Sequence, residues 1–313
     1  MELRHLRSLV TLADAGFSVS RTAEALHVVQ PAVSQHLKQL EEEIGTRLFL
    51  RQGKRLTGLT EVGAEVVNYA RQVLAQTNSI LAIGRDHTEQ TCGELRIATT
   101  HTQARYVLPP VIRRFTAKYP AVSLQIHQGT PAQLVEAAVH DAVDFAICTE
   151  ALGEHAALRA IPCYRWNRCV IAPEGHPVLT RKGASLKQLC SYPIITYVFG
   201  FTGRGHFSDA FANAGLRPNV VLSAADTDVI KTYVREGLGV GIVARLAYQP
   251  SRDGDLRMRD LSHLFPWETT KIAYARGKYL RRFQQHFIDM FQAEVRAANA
   301  HGGMEPCDTG PGD

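Results

Sequence analysis

Apolar residues return at helical intervals along the first part of the chain. Leu3, Leu6, Val10 and Ala13 predict a first helix, ended by Gly16 and Phe17. A second begins near Ser20, a residue type favoured at helix starts, and runs to Leu26. After the turn His27-Val28-Val29, Pro31 suits the first turn of a third helix, where its missing N–H costs nothing. Val33, Leu37, Leu40 and Ile44 place one face of that helix in a core and leave Gln30, Ser34, Gln35 and Lys38 outward. Leu48 to Thr57 then reads as two short strands turning near Gly53.

The next stretch has a different period. Leu59, Gly63, Val66, Ala70, Val73, Thr77, Ile80 and Gly84 alternate spacings of four and three, with Val67, Leu74 and Leu81 widening the stripe. One helix here reaches on the order of 40 Å. Packing onto its own domain would account for the stripe. The small residues Gly63, Ala70 and Gly84 admit a second helix closely, which favours a dimerising linker. From Glu94 onward short β-rich runs alternate with helical ones: Leu95–Thr99, Val122–Ile126, Val143–Ile147, Cys169–Ala172, Ile194–Tyr197, Val220–Ser223, Gly239–Val243 and Lys271–Ala275, closed by an amphipathic helix through Phe283, Phe287, Met290 and Phe291. Such alternation predicts parallel sheets with helices on both faces. A second α/β block starting near Cys163 makes the region bilobal.

The predicted fold class is therefore α/β, with an all-α-type winged helix-turn-helix domain at the N-terminus, a long linker helix and a bilobal effector domain. That domain is like a periplasmic binding protein, with two Rossmann-like lobes. The expected boundaries are 1–58 for the winged domain, 59–90 for the linker, 91–162 with 267–296 for lobe I, 163–266 for lobe II and 297–313 for a disordered tail.

Composition narrows the function. The 313 residues are 45% apolar and 21% charged, ordinary for two or three globular domains at roughly 100–200 residues each. No apolar run approaches the ~20 residues of a membrane helix. Charges break up the N-terminus where a signal peptide needs an apolar core, so a cytoplasmic protein is expected, with no membrane partner. A net charge of +5 permits a polyanionic partner. The six cysteines contain no C-x-x-C pair, and Cys163 and Cys169 lack zinc-ligand spacing, so no metal site is expected. No G-x-S-x-G elbow, P-loop or H-E-x-x-H is present, so no catalytic residue is assigned and an enzyme is disfavoured. A solute-binding protein would share the cleft but would leave the winged region unexplained.

Two clusters carry the chemistry. Gln, Ser and Lys on the outer face of the third helix are types that hydrogen-bond to base edges and phosphates in a major groove. From Arg47 to Gly58 there are four basic residues and no acidic ones, as in a wing against a DNA backbone. The expected DNA-binding residues are Ser20, Gln30, Pro31, Ser34, Gln35, Lys38, Arg51, Lys54 and Arg55. The acidic run Glu41–Glu43 lies at the far end of the helix, where it repels DNA least. A two-fold dimer presents two such heads to an inverted repeat in double-stranded DNA. In the second region Thr100, Thr102, Gln103, Thr149 and Thr202 offer neutral donors at strand ends, beside helix N-termini that attract anions. Trp166 adds an apolar wall and one N–H donor.

Ala23, Ala25-Leu26, Gln30-Pro31-Ala32-Val33-Ser34, Leu40-Glu41, Gly45, Leu48-Phe49, Arg51, Leu56-Thr57 and Gly63 resemble the winged helix-turn-helix signature of LysR-type transcriptional regulators. Val29 departs from it, standing where the family usually carries serine. Thr99–Tyr106, the stretch around Thr149–Ala151, Cys163–Arg168, Phe199–Arg204 and Asp226–Val234 resemble one branch, the CysB group, which regulates cysteine biosynthesis and sulfur assimilation. This resemblance implies a homodimer through the linker that pairs further to a homotetramer, action as an activator, and RNA polymerase as a further partner. It implies no cofactor, but a small effector at Thr100, Thr102, Gln103, Thr149, Trp166 and Thr202: an acetylserine-type inducer or a sulfate-like or reduced-sulfur anion. A sister group that answers sulfonate or sulfate starvation shares these motifs and is the alternative.

Overall fold

The structure is a computed structural model that describes residues 1–53, 55–88, 91–153, 155–180, 184–198, 204–298 and 304–306. The chain forms two compact units, residues 1–88 with 277–280 and residues 89–276 with 281–313.

The first unit opens with helices α1 (Leu3–Asp14), α2 (Val19–Ala25) and α3 (Gln30–Ile44), followed by a hairpin of β1 (Phe49–Gln52) and β2 (Arg55–Leu59) and by the long helix α4 (Glu61–Thr88). Leu9, Leu12, Val33, Leu40 and Leu48 have no exposed surface and form one core with Phe49, Val67 and Ala70. Burying each such aliphatic side chain stabilises by about 1.5–3 kcal/mol. The α2 start lies two residues earlier than expected: Ser18 caps it by accepting from Arg21 N, and Ser20 sits inside the first turn. Gly45 ends α3 in the left-handed conformation (φ 78°), which glycine adopts without strain.

The expected dimerising stripe of α4 divides. Gly63, Val67 and Ala70 face the unit's own core, and a Cβ on Gly63 would stand 2.0 Å from Leu48 O. Packing onto its own domain thus uses the first half of the stripe, while Tyr69, Val73, Ile80 and Leu81 are exposed.

The second unit begins with β3 (Cys92–Thr99). A helix follows from His101, widened into π turns at Gln103–Val107 and continuing as α5 (Leu108–Lys118). Next come β4 (Ala121–Gln128), α6 (Pro131–Val139), β5 (Phe145–Cys148) and β6 (Leu158–Trp166). After Asn167 the chain builds β7 (Arg168–Pro173), α7 (Pro177–Thr180), α8 (Leu186–Leu189), β8 (Ile194–Tyr197), α9 (Arg204–Asn213), β9 (Val220–Ala224), α10 (Thr227–Arg235), β10 (Val240–Ala244) and β11 (Leu256–Asp260). It ends with β12 (Glu268–Ala275), α11 (Arg282–Ala298) and β13 (Met304–Pro306).

Two sheets result, in the orders β13-β6-β12-β5-β3-β4 and β11-β7-β10-β8-β9. Both are mixed rather than parallel, because β12 runs antiparallel to β5 and β6, and β7 antiparallel to β10 and β11. The lobe boundary falls at Asn167 rather than 163, since β6 carries Cys163–Trp166 into the first sheet. The tail expected to stay unstructured also differs: 297 and 298 continue α11, and Met304–Pro306 pairs with β6. The rest of that tail lies outside the described residues.

Buried polar groups join the lobes where the chain crosses. Asn167 Nδ2 donates to Phe265 O (3.0 Å), and Arg168 pairs with Glu268 at 2.7 Å with both side chains under 5% exposed. Such a pair fixes geometry more than it adds stability, because removing two charges from water offsets their attraction.

Candidate functional site

In the first unit, Ser20, Gln30, Pro31, Ser34, Gln35, Lys38, Arg51 and Arg55 are all exposed, and Lys54 lies outside the described residues. A hollow of about 880 Å³ between α2 and α3 is lined by Ser20, Gln30, Pro31 and Ser34 together with Glu24, His27, Val28 and Val29. Val29 occupies the α3 cap position without a side-chain hydrogen bond and is 68% exposed. Lys38 makes an exposed pair with Glu42 (3.4 Å), which leaves it available to a phosphate.

Arg51 is partly committed inside the fold. Its guanidinium donates to Glu41 Oε2 at 2.9 Å, while Glu41 Oε1 accepts from Leu48 N at 2.8 Å and Phe49 N at 3.4 Å. Glu41 therefore ties the recognition helix to the hairpin, a role that the charge pattern alone does not give.

In the second unit, Thr100, Thr102 and Gln103 lie at the start of the helix that follows β3, and all three are buried. Thr100 O accepts from Ala104 N, and Thr102 Oγ1 is buried beside the Tyr197 hydroxyl of the other lobe. Burial pushes Tyr197 up to about 12 against its hydrogen bonds with Thr227 and Ala244 N, so it stays a neutral phenol. Thr149 follows β5 and accepts from Trp166 Nε1 at 3.1 Å. Thr202 lies outside the described residues.

Two residues missed in the sequence join the expected ones. Thr149 Oγ1 is 3.2 Å from Thr270 Oγ1 on β12. Tyr164 on β6 donates to Gln103 Oε1 and is the register partner of Thr270 on β12. Their signal is non-local, because only that register brings the two together. From Thr149 a cavity of about 410 Å³ extends past Glu150, Gly205, His206, Glu268 and Lys271. Its wall is tight, since a Cβ on Gly153 would meet Lys271 Nζ, and Ala151 holds a left-handed φ of 66°.

The segments quoted for the family branch face each other across the lobes. Asp228 accepts from Tyr106 (2.7 Å) and Arg105 Nε (3.2 Å), and His101 stands 3.7 Å away. Burial would raise the Asp228 carboxyl, but the bonds from Tyr106 and Arg105 outweigh it and hold it below the usual range. Lys231, buried, reaches Asp253 (2.7 Å) and the Tyr106 hydroxyl (3.3 Å). Cys148 is a strand residue whose thiol is pushed up by burial, the wrong direction for a reactive thiolate.

Residues 3–64 match the bacterial regulatory helix-turn-helix protein, lysR family, and residues 88–296 match the LysR substrate binding domain. The HTH-type transcriptional regulator SsuR of Burkholderia cenocepacia is 41% identical over 302 residues, 96% of this chain and 98% of its own. The regulator CysB of Haemophilus influenzae is 44% identical over 295 residues, 94% of this chain and 91% of its own. The solved cofactor-binding domain of the Cbl transcriptional regulator superposes with a TM-score of 0.63 at 38% identity, covering 68% of this chain and 94% of that domain. These relatives are regulators rather than enzymes. With two family domains in this order and full-length relatives above 40% identity, the chain belongs to the LysR family of transcriptional regulators.

Proposed function

We propose that this regulator controls genes of cysteine biosynthesis and sulfur assimilation in response to a small effector bound between the lobes. The effector is an acetylserine-type compound or a sulfate-like or reduced-sulfur anion. The observation that supports the reading is a set of neutral polar groups at strand ends: Thr100, Thr102 and Gln103, buried at the start of the helix after β3, and Thr149 after β5, which accepts from Trp166 Nε1. Helix-start N–H groups and hydroxyls hold an oxyanion or carboxylate without a paired arginine. The outer face of α3 grips an inverted repeat, and the wing cations contact backbone phosphates. Two copies associate through the exposed apolar residues of α4, Tyr69, Ile80 and Leu81 among them, with further pairing to tetramers.

Effector binding shifts lobe closure by its differential affinity for the open and closed arrangements, and so changes how the paired heads sit on DNA. The protein acts in the cytoplasm as an activator, with RNA polymerase as a further partner. A gel shift on a sulfur-assimilation promoter tests the reading. Specific, salt-sensitive retardation absent from scrambled DNA of equal length, and altered by acetylserine or sulfate, is the expected result. Equal retardation of both DNAs, or indifference to all effectors, contradicts it. A sister-group response to sulfonate or sulfate starvation is the second reading, since similarity to SsuR at 41% stands beside that to CysB at 44%.

A further inference from the structure

Lobe II presents a charged pair on α10, and one hydroxyl of lobe I sits between its members. Asp226 and Asp228 both stand at the start of α10 but are used differently. Asp226 caps the helix by accepting from Val229 N at 2.8 Å, whereas Asp228 turns to the other lobe. There its Oδ1 accepts from the Tyr106 hydroxyl at 2.7 Å, and its Oδ2 accepts from Arg105 Nε at 3.2 Å. Lys231 shares that face of the helix. Its buried ammonium donates to Ala247 O (2.6 Å), Asp253 Oδ2 (2.7 Å) and the Tyr106 hydroxyl (3.3 Å), and stands 5.0 Å from the Tyr106 ring centre. An ammonium only donates and a carboxylate only accepts. The direction at Tyr106 is therefore fixed: it accepts from Lys231 and gives its single proton to Asp228. Burial, then the bond to Asp228, push the Tyr106 phenol up and keep that proton in place. Tyr106 lies in the π-widened turns at Gln103–Val107, an irregularity frequent at functional sites. Thr102 and Gln103 are within about one turn of it, so a bond that holds Tyr106 also holds the helix start that carries them.

We infer that Tyr106, held between Asp228 and Lys231, is a positioning residue that latches the two lobes together before an effector arrives. Its consequence for affinity rests on the reading of Thr100, Thr102, Gln103 and Thr149 as the effector site. A ligand that needs the closed arrangement binds more weakly in proportion to the fraction of chains that are open. Losing one charge-assisted hydrogen bond shifts the closed-to-open ratio about tenfold or more. Tyr106 and Asp228 thus act on the ligand through the balance of the lobes.

Two measurements on the full chain test this. The first is a double-mutant cycle in calorimetric melting without ligand, using Tyr106→Phe, Asp228→Asn and the two combined. Tyr106→Phe keeps the ring beside Lys231 and removes only the hydroxyl. The effector-unit transition of the double variant should fall no further than that of the worse single variant. Additive lowering would mean that hydroxyl and carboxylate do not meet in the ligand-free chain, and would overturn the inference. The second is calorimetric titration with sulfate. Each single variant should bind it about threefold to tenfold more weakly than the wild type, and the double variant no more weakly than the weaker single one. Charge alone gives the opposite sign for Asp228→Asn, because losing a negative group favours an anion. Sulfate binding unchanged or tightened in either variant would overturn the inference and leave these residues a packing role. Asp228→Ser takes the place of Asp228→Asn in both measurements if the latter does not fold. A wild type that binds neither sulfate nor acetylserine, while the melting cycle is coupled, would remove the effector-site reading and leave the latch standing.

Discussion

The two recognition regions are built on opposite plans. In the winged unit the candidate contacts are exposed side chains on one helix face and one hairpin, carried by a separate core beneath them. In the effector unit Thr100, Thr102, Gln103 and Trp166 are buried and Thr149 is half-buried, and the side-chain partners of Gln103 and Thr149 come from β6 and β12. A surface that meets a large polyanion can add its contacts one at a time. A site that encloses a small ion must have its donors and acceptors matched before the ion arrives. Substitutions in the first plan should therefore change affinity in small steps, and substitutions in the second should act on the whole network.

The largest contrast is expected at Glu268. Glu268→Ala leaves Arg168 charged and buried, a loss of about 3–5 kcal/mol. In calorimetric melting of the full chain, the transition of the effector unit should fall and that of the winged unit should hold. Gly63→Ala is the converse: its Cβ collides with Leu48 O, costing about 1–3 kcal/mol in the winged unit, so operator binding should weaken while effector titration stays intact. Coupled loss of both transitions in either variant would break the comparison.

A smaller effect separates two arginines of the wing. Arg55→Ala should lower the salt dependence of operator binding by about one phosphate contact, measured as the slope of log affinity against log salt. Arg51→Ala should lower it less, because Glu41 already holds that guanidinium. Equal slopes would show Arg51 to be as free as Arg55.

The smallest effect is on pH. Burial, then His5 and Arg4, lower the pKa of His36 from 6.5 against the opposing pull of Glu2. A histidine lowered in the folded state binds protons more readily when unfolded. The winged unit should thus keep its full stability above about pH 6.5 and lose some as the pH falls below it. His36→Gln should flatten that decline in melting curves taken between about pH 7.5 and 5.5.

Legibility in the sequence follows the same division. The helix faces of α1 and α3, the hairpin and the exposed DNA candidates are local patterns, and a window of a few residues carries each. Glu41 read as one member of an acidic run, because its partners Leu48 N and Arg51 lie across a turn. The α4 stripe displayed its period but not its divided use, since a helix packing on its own core and one pairing with a second copy want similar spacing. Thr100, Thr102 and Gln103 were visible at a strand end. Thr270 and Tyr164 were not, because only the β12–β6 register brings them to Thr149 and Gln103. Strand order set the remaining surprise: β6 and β12 turned expected parallel sheets into mixed ones and moved the lobe boundary to Asn167.

The central claim is that hydroxyls of one unit sense a metabolite and thereby alter the grip of the other on DNA. Footprinting of the full chain on a sulfur-assimilation promoter, with and without acetylserine or sulfate, tests it when wild type and Thr149→Met are compared. Ligand should change the wild-type footprint, whereas Thr149→Met should bind the operator and ignore the ligand. A Thr149→Met footprint that responds to ligand as the wild type does would contradict the account.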